Sequence, residues 1–396
     1  MRVLVDATAL PPNRGGVARY VDELVSRLPD LGLAVDVACQ RRDESFYGRI
    51  VGAGRVHALG GWATRPETRM AWEQTGLPLL VRRIRPDVVH SPHYTLPLAA
   101  PLATRGGPGC ARVVTLHDAT FFSHPELHLG VKGAFFRRWT ALSARLADGL
   151  IVPSLATARE VVAYTGASAD KLDIAPHGVD HDRFAPPQPA DVAAASEWLG
   201  LPLGGEFVAF LGTLEPRKNV SALVRAYVLV CAGMPDPPTL VLAGGKGWDD
   251  TIDAAVAEVP ADLQVMRPGF VPDGLLKGLL GGAVVVAYPA FGEGFGLPVL
   301  EAMACGAAVL TTPLLSLPEV GGDAVAYART PEVGDVAEAL AALLADPVRR
   351  RDLGRRAVRR AADFTWDRSA RQHRTAYERA ANRRAATRKS GPDGRR

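Results

Sequence analysis

The chain has 396 residues, which is more than one hydrophobic core usually serves, so its length predicts two domains. Hydrophobic residues make up 47% of the sequence and charged residues 22%, as is ordinary for a soluble globular enzyme. The net charge of +4 is small for this length, and no known nucleic-acid-binding motif accompanies it, so we expect no nucleic-acid partner.

Features of export and membrane insertion are missing from the sequence pattern. The first ten residues, MRVLVDATAL, carry a charge at Asp6 and no long apolar run, which argues against a signal peptide. The longest apolar run, 279–289, is too short and too rich in glycine to span a bilayer. The four cysteines lie far apart without CxxC spacing, as expected for reduced core residues. These features predict a cytoplasmic protein, soluble or peripheral at the inner face of the membrane.

Short β-branched runs alternate with helix-length segments along the whole chain. In the first half, the predicted strands are 3–7, 35–39, 55–59, 87–91, 113–117, 149–153 and 171–176. In the second half, they are 207–212, 239–243, 264–267, 284–288, 307–311 and 325–328. Several runs are apolar on both faces, as expected for parallel strands covered by helices on both sides. The alternation predicts βαβ units and therefore an α/β fold with parallel sheets.

A proline-rich segment separates the two series of strands. DRFAPPQPADV, residues 182–192, suits a semi-rigid linker, with a hinge near 180–205. We predict two Rossmann-like domains, then one long helix and a disordered basic tail, with the bounds 1–185, 186–364, 365–388 and 389–396. Ligands of open parallel sheets bind beyond the carboxyl ends of the strands, so two such domains facing each other would enclose a cleft.

The segment AFGEGFGLPVLEAMACG, residues 290–306, directly follows the predicted strand 284–288. Its first three glycines disfavour a helix, whereas Pro298 suits a first helical turn, so we predict a helix over 298–305. Glu293 then lies in the loop, and Glu301 in the first turn.

The start of this helix offers a site for a particular kind of ligand. Free N–H groups at a helix start favour phosphate, and a carboxylate such as Glu293 can accept hydrogen bonds from two neighbouring hydroxyls. A nucleotide-sugar has both kinds of group. The alternative is a simple glycine turn in which Glu301 stabilises the helix dipole.

A second segment, FVAFLGTLEPRKNV at 207–220, reads as a strand, a turn and a helix capped by Asn219. Arg217 and Lys218 stand just before that helix. Two cations at a helix start favour a diphosphate, although a basic pair alone is usually solvated surface.

These two segments, followed by LPEVGGDA at 317–324, resemble the signature of retaining glycosyltransferases of family 4. The resemblance implies the GT-B fold, in which two Rossmann-like domains face each other across a cleft and a C-terminal helix returns to the N-terminal domain. Weaker N-terminal pieces, TLHD at 115–118 and PHGVD at 176–180, are similar to mannosyltransferase-like members.

The resemblance also implies roles for single residues. Arg217 and Lys218 would hold the donor diphosphate and neutralise the leaving group, Glu293 would contact the transferred sugar, and Glu301 the ribose. His117 would face the reacting sugar carbon. The remaining donor contacts would be Gly16 and the backbone amides of Phe295, Gly296 and Leu297. The weaker acceptor candidates are Gly15, Asn13, Arg14 and Tyr94.

The implied reaction retains the anomeric configuration and needs no cofactor and no protein nucleophile. GDP-mannose is the first expectation for the donor, with UDP-glucose and UDP-N-acetylglucosamine left open. The acceptor would be a glycan or a lipid-linked molecule, and a lipid-linked acceptor would explain the basic block 383–396 as a contact with anionic membranes. Asp180-His181-Asp182 spells DxD, but it lies beside the linker, so we predict that it is structural and that no metal is required.

Two other classes of protein remain as alternatives. A sugar phosphorylase would share the fold, but the sequence shows no recognisable context for a pyridoxal phosphate lysine. A non-enzymatic nucleotide-sugar-binding or membrane-associated scaffold protein would lose catalytic groups, all of which are present here. His90 and His93 end a predicted strand, where they are acceptor contacts, packing residues or, without a carboxylate to complete the set, weak metal ligands.

Overall fold

The computed structural model describes residues 1–12, 14–100, 109–202 and 204–389. The chain forms two compact units. The first comprises Met1–Ser123, Gly130–Gly178 and the segment from Trp366 onward, and the second comprises His124–Leu129 and Val179–Thr365. Asn13 and the predicted tail beyond residue 389 lie outside the described residues.

The first unit is built on a sheet of seven strands. They are β1 (Arg2–Asp6), β2 (Ala34–Gln40), β3 (Val56–Leu59), β4 (Val88–Ser91), β5 (Ala111–Thr115), β6 (Gly149–Val152) and β7 (Leu172–Ile174). Every strand pairs in parallel with its neighbours, in the order β3-β2-β1-β4-β5-β6-β7. Strands β4, β5 and β6 are buried along their whole length, which explains their apolar side chains on both faces.

The helices of this unit connect successive strands. They are α1 (Gly16–Arg27), α2 (Glu44–Val51), α3 (Pro66–Ile84), α4 (Thr120–Ser123), α5 (Gly130–Leu146) and α6 (Leu155–Thr165). Helix α6 shows why such helices begin and end where they do. The Ser154 side chain accepts a hydrogen bond from the N–H of Thr157, and Gly166 closes the helix in the left-handed conformation.

The second unit contains a six-stranded parallel sheet. Its strands are β8 (Phe207–Leu211), β9 (Thr239–Ala243), β10 (Val265–Gly269), β11 (Val285–Tyr288), β12 (Val309–Thr311) and β13 (Ala326–Tyr327). Their order is β10-β9-β8-β11-β12-β13. The α/β fold with two Rossmann-like parallel sheets is therefore confirmed.

Eight helices are described in the second unit: α7 (Pro189–Leu199), α8 (Val220–Cys231), α9 (Thr251–Ala257), α10 (Leu276–Gly282), α11 (Leu297–Ala304), α12 (Leu317–Gly321), α13 (Val333–Ala345) and α14 (Pro347–Ala361). The proline-rich segment 182–192 ends inside α7, whose first turn is closed by a capping box of Gln188 and Asp191. The segment predicted to be a linker is thus partly helical.

The arginines of α14 do more than form a solvated face. Arg350 donates to the carbonyls of Leu343 and Leu344 in the last turn of α13, at 2.8 and 2.6 Å. Arg360 donates to the carbonyls of Glu319 and Val320 in α12, at 2.7 and 3.3 Å. Cations suit helix ends in this way because the last carbonyls of a helix have no partner inside it.

The C-terminal helix α15 (Trp366–Lys389) belongs to the first unit and packs against β4 to β7 and against α1. Two aromatic side chains of α15, Trp366 and Tyr377, are buried in this contact. Arg379 pairs with Asp173 at 2.5 Å, and Arg383 donates to the carbonyl of Asp148 at 2.7 Å. Among the helices described, none combines the length and the apolar character needed to cross a membrane.

Each sheet has one place where the strand order reverses. In the first unit the reversal lies between β1 and β4, and in the second between β8 and β11. Ligands of open parallel sheets bind beyond the carboxyl ends of the strands at such a reversal. The loops that follow these four strands are therefore the places to look for a site.

Candidate active site

Two loops of the second unit meet at the strand reversal. The loop after β8 contains a 3-10 turn, Pro216–Lys218, and the loop after β11 covers residues 289–296. The N–H of Phe291 donates to the carbonyl of Arg217 at 2.9 Å and ties the loops together. Two motifs that lie far apart in the sequence therefore form one site.

Arg217 and Glu293 form an ion pair in this site. A guanidinium nitrogen of Arg217 lies 2.5 Å from one carboxylate oxygen of Glu293 and 2.8 Å from the carbonyl of Gly292. The Tyr288 hydroxyl donates to the other carboxylate oxygen at 2.7 Å. Burial alone would raise the pKa of Glu293, but the charges of Arg217 and Lys218 and these hydrogen bonds outweigh it and lower the pKa. Glu293 is therefore ionised at neutral pH and held in one orientation.

Lys218 is a buried cation beside this ion pair. The residue is only 8% exposed, and its ammonium nitrogen lies 5.8 Å from the centre of the Tyr288 ring. Burial lowers the pKa of Lys218, while the attraction of Glu293 opposes that shift. Within the described residues, no acceptor atom lies at hydrogen-bond distance from this nitrogen. Such a group is costly to bury unless a ligand supplies an acceptor, so the position favours an anion.

Asn219 is the N-cap residue of helix α8, as predicted, but its side chain makes no capping hydrogen bond. Its backbone is left-handed, with a φ of 56°, a conformation that asparagine tolerates better than most residues. The side-chain amide donates instead to the carbonyls of Pro289 at 3.2 Å and Pro331 at 2.7 Å. Asn219 thus holds the loop after β11 in place rather than the start of a helix.

Helix α11 starts at Leu297, one residue earlier than predicted. The preceding residue, Gly296, has a φ of 98°, which side chains rarely adopt, and Pro298 occupies the first turn as expected. Glu301 is the fifth helical residue, so it lies in the second turn, and the prediction of the first turn is corrected. It is 4% exposed. Phe295, just before the helix, is also buried, with its ring 5.9 Å from that of Phe364.

Sequence reasoning missed the side chains that support the Glu293 loop. Besides Tyr288, the hydroxyls of Thr312 and Ser316 donate to the carbonyls of Ala290 and Glu293, at 2.6 and 2.7 Å. The sequence nevertheless contains a pattern from which these three side chains could have been predicted. Tyr288 ends a predicted strand, and the two hydroxyl residues follow the next strand along the chain, so parallel pairing brings them to the same edge.

The glycines of AGGKGW, residues 243–248, serve close packing. The N–H of Gly244 donates to the carbonyl of Gly269 at 2.7 Å, and a Cβ at Gly244 would collide with the carbonyl of Gly212. The absence of a side chain lets the loops after β8 and β9 approach each other. These glycines therefore help to position the turn Pro216–Lys218.

In the first unit, His117 lies two residues beyond β5. Its Nε2 is 2.8 Å from the carbonyl oxygen of Pro92, and since a carbonyl only accepts, Nε2 carries the proton. Burial lowers the pKa of His117, although the Pro92 carbonyl and Asp118 oppose the shift, so the ring is neutral at pH 7. Nδ1 is then an acceptor nitrogen, suited to receive a hydrogen bond from a hydroxyl.

A chain of buried hydrogen bonds links α15 to the sheet near His117. The links are 2.7 or 2.8 Å long and run in this order: Tyr377, His90, Thr115, Tyr20, His373 and the carbonyl of Ser369. The final carbonyl can only accept, so each earlier group donates to the next one, and both histidines are fixed as single neutral tautomers. The Tyr20 ring also meets His117 edge to face, with centroids 5.1 Å apart.

The predicted acceptor residues of the first unit have different surroundings. Gly15 is the N-cap of α1 and Gly16 its first residue, and both are exposed at the reversal. Arg14 is held by two carboxylates, Asp22 at 3.2 Å and Asp43 at 2.5 Å. Its guanidinium therefore supports the loop that precedes α1. Its role in acceptor binding stays a prediction, and Asn13 lies outside the described residues.

Tyr94 packs in a core cluster and is 6% exposed. Its hydroxyl accepts a hydrogen bond from the N–H of Asp118 at 3.2 Å, and its left-handed backbone, with a φ of 52°, turns the chain after β4. These contacts agree with a packing role for the segment HSPHY, residues 90–94, one of the roles considered for its histidines. Its contact with an acceptor stays a prediction.

The described residues contain no group of three or more His, Cys, Asp or Glu side chains placed to hold a metal ion. The carboxylate of Asp180 accepts from the backbone N–H groups of Asp182 and Arg183, at 3.0 and 3.2 Å, and so closes a turn. The cysteines are free and buried, as predicted: Cys39, Cys110, Cys231 and Cys305.

Two parallel Rossmann-like sheets in these strand orders are those of the GT-B fold. A solved structure of similar fold is HepE from Anabaena in complex with UDP and glucose. It has a TM-score of 0.74 at 18% sequence identity, and the match covers 95% of this chain and 98% of that one.

Two family models match the chain: Glycosyltransferase Family 4 over residues 14–183 and Glycosyl transferases group 1 over residues 193–360. D-inositol 3-phosphate glycosyltransferase of Pseudarthrobacter chlorophenolicus is 30% identical over 402 residues, 93% of this chain and 91% of that protein. O-antigen chain mannosyltransferase B of Escherichia coli is 29% identical over 311 residues, 78% of this chain and 77% of that protein. The chain belongs to the family 4 glycosyltransferases.

Proposed function

We propose that this glycosyltransferase moves a hexose, with mannose the first candidate, from a nucleotide-diphosphate sugar to a hydroxyl of a glycan or lipid-linked acceptor. The observation that carries the proposal is the buried ammonium of Lys218, next to Arg217 at the strand reversal. A diphosphate supplies the anionic acceptor atoms that suit this pair of cations. The transfer retains the anomeric configuration and uses no metal ion.

The charges of the site support a role in leaving-group stabilisation. Arg217 pairs with Glu293 at 2.5 Å and with Glu215 at 3.6 Å. Both carboxylates also attract Lys218, but within the described residues its ammonium forms no ion pair of its own, so it is the cation best placed to meet the ligand. In the proposed step, the bond between the anomeric carbon and the phosphate oxygen breaks, and the acceptor oxygen bonds to that carbon on the same face. The acceptor proton passes to an oxygen of the departing diphosphate. Arg217 and Lys218 stabilise the charge that develops there.

Glu293 is better suited to hold the sugar than to attack it. One of its carboxylate oxygens faces Arg217 and the other accepts from Tyr288. These contacts lower the pKa of the carboxyl group and occupy lone pairs on both oxygens, which weakens it as a nucleophile. Its remaining lone pairs can accept hydrogen bonds from sugar hydroxyls.

Further contacts with the donor are assigned by position. We assign the backbone amides of Phe295, Gly296 and Leu297 to the donor phosphate, because a helix start favours an anion and no side chain caps α11. Glu301 is assigned to the ribose. Neutral His117, through Nδ1, accepts a hydrogen bond from the transferred sugar, with Gly16 at the start of α1 as the opposite donor contact.

The choice of donor and acceptor draws on the relatives. A mannosyltransferase among them supports GDP-mannose as the first donor to test, and HepE, which was solved with UDP and glucose, keeps UDP-sugars in the panel. An O-antigen chain in one relative and an inositol phosphate in another represent the two kinds of acceptor to compare. A contact between the basic block 383–396 and an anionic membrane stays part of the proposal for a lipid-linked acceptor.

The first experiment titrates the protein with a panel of nucleotide-sugars in the presence of a chelator. Thermal stabilisation and slow release of free sugar are followed together. We expect one GDP- or UDP-sugar to raise the Tm and to be hydrolysed. In Arg217→Ala the rate of hydrolysis should fall by about 10²-fold and the rise in Tm should be largely lost. Arg225→Ala, on the exposed face of α8 in the same unit, is the matched control and should behave as wild type.

Two results would contradict the proposal. If none of the nucleotide-sugars binds, with or without magnesium, the assignment of Arg217 and Lys218 to a diphosphate is wrong. If transfer occurs but NMR of the first product shows an inverted anomeric carbon, the same-face step is wrong and the donor assignment stands.

A further inference from the structure

Helix α5 exposes an unusual amount of apolar surface. Val131 is 89% exposed and Phe135 40%, and Leu129, just before the helix, is 50% exposed. The same face carries a shallow groove of about 580 Å³, lined by Val131, Ala134, Phe135, Arg138, Trp139 and Leu142. The spacing of these residues is that of one face of a helix. Single exposed apolar residues are common on proteins, but a contiguous stripe on one helix marks an interaction surface.

The charge of α5 is uniformly positive. The helix contains Lys132, Arg137, Arg138 and Arg145 and has no acidic residue between Gly130 and Leu146. Arg137 donates to the carbonyl of Phe121 at 2.9 Å and so points inward. The other three cations belong to exposed residues, and Arg138 lines the groove itself.

We propose that this face of α5, which we name the α5 face and define by Val131, Phe135, Arg138 and Trp139, docks onto an anionic lipid bilayer. An apolar stripe bordered by cations and containing aromatic rings is the pattern of a helix that lies in the plane of a membrane interface. The apolar side chains enter the boundary between headgroups and acyl chains, and the cations meet the anionic headgroups.

The charge pattern selects a bilayer over a second copy of the chain. In a symmetric dimer the α5 face would meet itself and bring Arg138 and Lys132 of one copy near the cations of the other, with no acidic residue of α5 to pair with them, so the two faces would repel. An anionic surface complements them instead.

The basic C-terminal block is a weaker candidate, because its described arginines are engaged in the fold. Arg383 bonds to the carbonyls of Asp148 and Asp170, and Arg384 lies 3.9 Å from the Asp148 carboxylate. Both side chains are 26% exposed. The α5 face is therefore the main bilayer contact in this proposal, to which the basic block adds little, and it does not depend on which donor is correct.

Vesicle flotation of the full chain tests the proposal. We expect binding to vesicles of phosphatidylglycerol and phosphatidylcholine, no binding to phosphatidylcholine alone, and weakening by added salt. The double variant Val131→Asp/Phe135→Asp should bind about tenfold or more weakly. Phe270→Asp is the matched control, since Phe270 is 65% exposed on the second unit, and it should bind as wild type. Deletion of residues 390–396 should also leave binding unchanged.

A second readout reports the face that touches the bilayer. Lipids brominated on their acyl chains should quench the tryptophan fluorescence of the bound protein, and Trp139→Phe should remove most of this quenching while binding persists. Because Val131 and Phe135 are exposed, circular dichroism and Tm of the double variant should not change.

Equal binding of the double variant and wild type would overturn the proposal, as would loss of binding on deletion of residues 390–396. It is also overturned if light scattering shows a dimer that Val131→Asp/Phe135→Asp dissociates, because the α5 face would then be an interface between copies of this chain.

Discussion

Burial of an ammonium group without an acceptor atom lowers the stability of the unliganded protein, and Lys218 is in this position. Burial lowers the pKa of Lys218 in the folded chain below its ordinary value. At a pH between these two values, the unfolded chain binds the proton more tightly than the folded chain does. Below the folded pKa the full penalty applies. If the diphosphate binds this ammonium as proposed, Lys218 gives up stability of the unliganded protein for ligand binding.

Lys218→Met should therefore separate stability from function. We expect the free energy of unfolding of the unliganded protein to rise by about 1 kcal/mol, because a flexible apolar chain of similar length replaces the buried charge. Transfer activity should fall by about 10²-fold or more, since the charge on the diphosphate loses its partner. Calorimetry and initial rates measure the two effects.

Lys277→Met is the control for that substitution. Lys277 lies in the same unit but pairs with Asp191 at the surface, at 2.9 Å, so its loss should leave the transfer rate unchanged. If Lys218→Met lowers both stability and activity, Lys218 is a structural residue and the assignment to the diphosphate fails.

For single residues, the sequence predicted the charged side chains of the site but not the side chains that hold them in place. Arg217, Lys218 and Glu293 each follow a recognisable buried strand, so their position at the sheet edge was visible. The contacts of Asn219 were hidden, because its left-handed backbone and its bonds to Pro289 and Pro331 depend on a turn and on a loop far along the chain.

Helix α15 is fixed to the first unit by a directed set of hydrogen bonds that requires neutral histidines. Protonation of His373 would turn its Nε2 from an acceptor into a donor and oppose the Tyr20 hydroxyl that donates to it. Burial lowers the pKa of His373 to about 4, from an ordinary value of 6.5, although the Ser369 carbonyl opposes the shift. The hydrogen bonds that fix α15 to the first unit are therefore sensitive to acid.

We expect the first unit to lose stability as the pH falls from 6.5 to about 4. In this window the unfolded chain binds a proton at His373 that the folded chain does not, so the free energy of unfolding decreases with falling pH. The shift in pKa corresponds to roughly 3 kcal/mol once the pH reaches 4. Calorimetric Tm values across this range should be less dependent on pH in His373→Gln than in wild type.

His181→Gln provides the comparison, because His181 is exposed on the second unit and takes no part in these hydrogen bonds. It should leave the pH dependence as in wild type. Equal slopes for wild type and His373→Gln would show that the hydrogen bonds of α15 do not respond to this proton.

Over the whole molecule, all thirteen predicted strands are present, with ends within two residues of those observed. They were predictable because strands buried on both faces are short apolar runs between helices. The hydrogen bond between Tyr20 and His373 was not predictable, because it joins α1 to a helix 353 residues away. Periodicity shows which face of α15 is apolar but not which polar groups it meets.

The charge distribution of the whole chain leads to a last prediction, on metal ions. A divalent cation that binds a diphosphate is held by one or two carboxylates together with the phosphates. At the strand reversal of the second unit, the carboxylate of Glu293 is instead engaged by Arg217 and Tyr288, and the second cation, Lys218, stands beside it. We therefore expect transfer rates measured with excess chelator to stay within about twofold of those with magnesium.

The control for this experiment is Arg217→Ala, assayed with and without magnesium. If the two side chains supply the charge that a metal ion would supply, magnesium should restore little of the lost rate, because no carboxylate cluster holds the ion beside the diphosphate. Abolition of wild-type transfer by the chelator, with recovery on adding magnesium or manganese, would contradict the prediction. The diphosphate would then be held by a metal ion, and the buried charge of Lys218 would need another explanation.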